Sequence, residues 1–177
     1  DNKLTVDFAA GGSFVIDKGI SYAAGTSTSD VLQLVGLGND WFTYQPSASI
    51  VGSGKFAAPG QEISFTGVES TAVTKTQNLS IEPQGSTDVL TVSAATGYSG
   101  AIGSRISGNS GGMAIVPMTF DNVLNLTIDT GLKDGLLAQS NDTVTFNAGS
   151  MEADGLNSVF VRTGKGNDTL TVNGPDI

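Results

Sequence analysis

The sequence predicts an all-β chain folded as a right-handed parallel β-helix, with an antiparallel β-sandwich as the alternative. Three observations predict it. A five-residue pattern of polar turn residue, any residue, apolar, polar, apolar returns ten times in 177 residues, once with Phe160 in the polar place. Gly is abundant, at 24, and most of the acid is Asp, a turn former that can bond its own backbone. Helix formers such as Glu, Lys, Gln and Arg are scarce, whereas Val, Thr, Ile and Phe are plentiful, which suits short strands joined by many turns.

The elements follow in order. NKLTV begins at Asn2, DVLQL at Asp30, DWFTY at Asp40, QEISF at Gln61 and QNLSI at Gln77. DVLTV begins at Asp88, NVLNL at Asn122, DTVTF at Asp142, NSVFV at Asn157 and DTLTV at Asp168. Alternation at period two marks a strand with one buried face. Several copies pair across ten or eleven residues, and the links VGLGN, EPQGST and RTGKGN each carry glycine for a sharp corner. Asn122 and Asp142 form a stretched version of the same unit.

Copies at 2, 30, 61, 88, 122, 142 and 168 are spaced by about 28 residues on average, inside the window that marks stacked repeats. In a β-helix each coil adds a layer at about 4.8 Å, so like residues stack and recur. In a sandwich the ten- and eleven-residue pairs would be hairpins. One domain over 1–177 is expected, with long loops near 46–60 (Gly, Ser and Pro-rich) and 93–117, the second with weak strands around Ala101-Ile102 and Ala114-Ile115-Val116.

Charge and composition restrict function. The net charge is −9 with no Lys or Arg cluster, which argues against nucleic acid as a partner. No apolar run approaches the roughly 20 residues of a membrane span. Cys and His are both absent, so thiolate metal sites and histidine-dependent triads are excluded. That disposes of GNSGG at Gly108–Gly112, where Ser110 would otherwise sit in a protease-like nucleophile loop. Such a Cys-free, acidic, Thr/Asn/Gly-rich β-protein suits a bacterial cell exterior. The start at Asp1 is expected of a processed or excised segment.

The stretch GKGNDTLTV at Gly164–Val172, echoed by GLGNDWFTY at Gly36–Tyr44, resembles the haemolysin-type calcium-binding repeat. The run from Asn122 to Gly174 and the opening NKLTVDFAAGG are similar to repeats of very large bacterial surface and adhesin-like proteins. The resemblance touches most of the chain. It implies an extracellular, β-helical, structural or adhesive segment. It also implies Ca2+ ligands at Asp168, Asn167, Gly166, Gly164 and Asp40.

The residues themselves favour a solvated glycine corner. No second copy follows GKGNDTLTV after nine residues, Thr163 and Val35 stand where the repeat has its first Gly, and calcium wants six to eight oxygens. Asp129 with Asp134, or Asp7 with Asp17, are the carboxylate pairs a polysaccharide-active enzyme could use, but their Asp residues sit at turn positions. The expectation is therefore a non-enzymatic chain. Trp41 should face outward from a strand that buries Phe42 and Tyr44, where it could stack on a sugar ring. Asn78, Asn125, Asn141 and Asn167 lie in N-x-S/T sequons, most arising from the strand motif itself.

The first strand begins within two residues of Asp1, the last ends at Val172, and no capping helix flanks either. A slice of a longer rod, or a subunit stacking end to end with like subunits, is expected. The functional expectation is a structural or adhesive segment of a cell-surface protein or extracellular fibre. The alternative is a carbohydrate-binding or calcium-stabilised β-sandwich module, and a remote third is a polysaccharide-active enzyme.

Overall fold

A computed structural model describes residues 2–10, 14–98, 100–135 and 140–174. The described chain is all-β, with fourteen strands in one mixed sheet and a single short 3-10 turn at Gly131–Lys133. The strands are β1 (Lys3–Asp7), β2 (Ile20–Ala23), β3 (Val31–Val35), β4 (Trp41–Pro46), β5 (Gly54–Ala58), β6 (Gln61–Thr66) and β7 (Ser70–Ile81). They continue as β8 (Asp88–Thr96), β9 (Ile102–Ser110), β10 (Met113–Ala114), β11 (Met118–Asp129), β12 (Thr143–Phe146), β13 (Ser158–Arg162) and β14 (Thr169–Val172).

Three parallel ladders organise the sheet. The first runs β1–β3–β7–β11 and places Val6, Leu34, Val73 and Phe120 in one buried file. The second runs β4–β7–β11–β13 and aligns Phe42, Leu79, Leu126 and Val159, with Tyr44, Ile81, Ile128 and Val161 two residues on. The third runs β8–β12–β14 and aligns Leu90, Val144 and Leu170, then Val92, Phe146 and Val172. Each file is the apolar half of a period-two strand, so one register turns every copy to the same face and a one-residue slip would turn it outward. Aromatic contacts fill the interior beside β4, where Tyr44 stacks on Phe56 at 4.9 Å between ring centroids.

Strands β7 and β11 each serve two ladders because one residue bends them. Lys75 (φ 57°) and Asn122 (φ 51°) occupy equivalent positions and both adopt the left-handed conformation. Asn tolerates it readily, whereas Lys does not. The bend beside Asn122 is fixed by Asp121, a buried carboxylate that accepts from Thr74 Oγ1 (2.5 Å), Asn122 Nδ2 (2.8 Å) and the Tyr98 N–H (2.7 Å).

All ten copies of the motif fall on strands. Three expectations need correction. The hairpin that the sandwich alternative would make of the copies at Asp30 and Asp40 is not formed: β3 bonds β1 and β7, while β4 bonds β7 and β5. The copy at Asn122 is framed two residues early, because Asn78 aligns with Asn125. The in-register frame therefore starts at Leu124, where period-two alternation alone gives no distinction.

The third correction concerns the loops. The stretch 46–60 contains β5, which joins β4 and β6 in an antiparallel meander. The stretch 93–117 contains all of β9, paired antiparallel with β8 over nine residues and with β11 over three, and also β10, so strands do lie near the expected Ile102 and Ala114. Gly, Ser and Asn in β9 hide its strand character, and neighbours on both edges override that low propensity.

Candidate functional site

The polar residue that opens each motif has a role set by the ladders. In the third ladder Asp88, Asp142 and Asp168 lie in register. The Asp88 N–H donates to Asp142 Oδ1 at 2.9 Å, and the Asp142 N–H donates to Asp168 Oδ1 at 2.9 Å. The first ladder repeats the arrangement, the Asn2 N–H donating to Asp30 Oδ1 (2.5 Å) and the Asp30 N–H to Glu69 Oε2 (2.6 Å). Each carboxylate thus satisfies the corner N–H of the preceding strand in its ladder. Sequence reading assigned these residues to local turns. The missed signal was that Asp opens every strand of the third ladder.

This corner column is electrostatically tense. Asp88 and Asp142 are buried, and neither oxygen of Asp88 has a hydrogen-bond partner of good geometry among the described residues. Burial pushes the Asp88 carboxyl up to about 7. Proximity to Ser110 and Gly111 opposes that rise, and the charges of Asp142 and Asp134 add to it. The Asp142 carboxyl is also raised, by burial first, and then by Asp134 and Asp168 against the relief given by the Asp88 N–H and Thr130.

The residues named as calcium ligands lie at two separate corners. Asp168 is half-buried, with Oδ1 on the Asp142 N–H. Gly164 (φ 78°) and Gly166 (φ 144°) shape the corner, and a Cβ on Gly166 would collide with the Ser140 carbonyl oxygen. The Asn167 N–H donates to Asn141 Oδ1 (2.9 Å) and the Lys165 N–H to Asp134 Oδ2 (2.8 Å). Asp40 belongs to the second ladder, aligned with Gln77, so the two GxGND corners do not stack. Its Oδ2 accepts from the Leu37 N–H (2.8 Å), while its carbonyl accepts from Gln77, Asn78 and Thr76. Among the described residues no three acidic side chains gather as a metal-sized cluster.

The remaining candidates also resolve into turn and ladder chemistry. Asp7 accepts from the Ala9 and Ala10 N–H groups, and Asp129 faces Arg162 at 3.5 Å. Asp134 accepts from the Ser140 hydroxyl besides Lys165. Ser110 is buried, its Oγ accepting from the Gly85 N–H at 2.7 Å. Trp41 is 44% exposed and stands on the outer face opposite Phe42 and Tyr44. Asn78 and Asn125 lie in file with it and bond each other at 3.0 Å, with Ser158 donating to Asn125 at 2.8 Å.

Comparison with protein-family models, curated proteins and solved structures finds no match to this chain.

Proposed function

We propose that the chain is a β-solenoid segment, a right-handed parallel β-helix with antiparallel excursions at β5 and β9. It acts as a structural or adhesive scaffold of a bacterial cell-surface protein or extracellular fibre. Its work is mechanical and presentational. Three parallel ladders in common register support the solenoid reading over the sandwich, since each carries the same inward file from strand to strand.

The observation that carries the proposal is how the third ladder stops. Leu90 and Val144 are fully buried, yet Leu170, at the same place in the file, is 53% exposed. Val172 repeats this at 56%, beyond buried Val92 and Phe146. Together with Val159, Val161, Met151 and Leu156 they line an open apolar trough of about 440 Å³ between β13 and β14. Each of these two strands has one free edge among the described residues. An apolar trough flanked by free strand edges is what another β-layer would cover. That layer comes from a like subunit or from a neighbouring repeat of a longer chain.

Negative-stain microscopy and light scattering over a concentration series test this. Rods or concentration-dependent growth, abolished by Leu170→Asp with Val172→Asp, are expected. Compact particles that stay monomeric at every concentration would refute stacking of like subunits.

A further inference from the structure

A second concavity lies on the outer side of the β4–β5–β6 meander. It is a groove of about 540 Å³, within the range of small-molecule sites. Gln45, Ser53, Lys55, Ser64 and Gln84 line it, with Ser49 at its exposed lip. Three chain segments supply these groups, so no contiguous motif announces the groove.

Its chemistry is neutral and rich in groups that both donate and accept. Lys55 is the one cation lining it, and Glu62 neutralises that charge at 2.8 Å. The amides are held rather than free to swing: Gln45 Nε2 donates to Glu82 Oε2 and Gln84 Nε2 to the Glu82 carbonyl, both at 2.8 Å. Among the described residues neither Oε1 has a partner, so both remain as oriented acceptors. The Ser53 hydroxyl is buried and also lacks a partner among the described residues. A buried unpaired hydroxyl costs free energy that a ligand's polar group would recover. Ala48 adds apolar surface at the same place.

From this geometry we infer that the groove binds a neutral carbohydrate, one sugar unit seated among Gln45, Ser53 and Gln84. Sugar hydroxyls match the paired amide and hydroxyl groups, and the C–H face of a ring suits Ala48. An anionic ligand would meet no uncompensated positive charge, and a chain of net charge −9 would repel it. A purely apolar ligand would leave the amides and Ser53 unsatisfied. The site gives the adhesive part of the proposed function something to hold, but it does not depend on stacking.

Saturation-transfer NMR on the whole chain tests it, with glucose, galactose, mannose and N-acetylglucosamine as probes, each beside its disaccharide, and galacturonate as the charged control. At least one neutral sugar should bind with Kd in about the millimolar range. Gln45→Ala or Gln84→Ala should weaken it about tenfold, and Ser49→Trp, at the lip, should abolish it while circular dichroism stays unchanged. The inference is overturned if no neutral sugar binds, if galacturonate binds as well as they do, or if Ser49→Trp folds and binds like the wild type. Rods that assemble but bind no sugar would sink this inference and leave the scaffold reading standing.

Discussion

The backbone N–H of Asp88 donates to Oδ1 of Asp142 at 2.9 Å, across 54 positions of sequence. Asp142 repeats the bond to Asp168, so one column of carboxylates, from buried Asp142 to half-buried Asp168, ties three strands together at their corners. The column has a cost, since Asp88 is buried near Asp142 and Asp134 with its own oxygens unpaired. An unfolded Asp loses its proton near 3.8, whereas this carboxyl holds it to about 7. The native state therefore binds more protons between those values, and its stability falls as pH rises through that window, then levels off. Asp88→Asn keeps the backbone bond and removes the charge. It should raise the melting temperature at pH 8, by roughly 2–4 °C for each kcal/mol gained in a chain of this size. It should also flatten the slope between pH 4 and 7. Thermal melts across pH check both; an unchanged slope would show that Asp88 is not the titrating group.

Asp168 distinguishes a structural corner from a calcium ligand. Its Oδ1 holds the Asp142 N–H, and leaving that donor unpaired costs about 1–3 kcal/mol. Asp168→Ala should lower the melting temperature by the same amount with calcium and with chelator. Wild-type protein should melt identically in both. A calcium-dependent rise that Asp168→Ala abolishes would restore the metal reading.

Gly166 is held at φ 144°, and a Cβ there would collide with the Ser140 carbonyl oxygen. Both the steric clash and the backbone conformation oppose any side chain. Gly166→Ala should detach β14 before it unfolds the rest. Hydrogen exchange should show lost protection at Thr169–Val172, with β7 and β11 unaffected. Gly174, whose Cβ would meet open space, is the control.

How much of this was legible in sequence depends on which partner set each feature. Apolar alternation in DWFTY, QNLSI and DTLTV is a local property, so the strands and their buried faces could be read directly. Strand β9 could not: IGSRISGNS has poor strand propensity and is held by β8 and β11 on its two edges. The two-residue displacement at Asn122 has a similar origin, since pairing with β7 and the left-handed corner fix a frame that alternation leaves open. Asp at each corner was visible as a turn residue, yet its acceptor role lies on another strand dozens of residues away. The sugar groove is the extreme case, assembled from β4, β5, β6 and Gln84 with no shared spacing.

Leu90 and Leu170 occupy the same position in one inward file, two strands apart, and should respond unequally to truncation. Leu90 is fully buried, so Leu90→Ala removes packed methyl groups and leaves a cavity, costing about 2–5 kcal/mol. Leu170 is 53% exposed, so Leu170→Ala should cost less than about 1 kcal/mol in the isolated chain. If a further β-layer covers the trough, the second value rises toward the first in the assembled state, because burial there is completed by the neighbour. Denaturant melts at low and high protein concentration measure the difference. Equal, small costs for Leu170→Ala at both concentrations would mean that no like subunit covers this end.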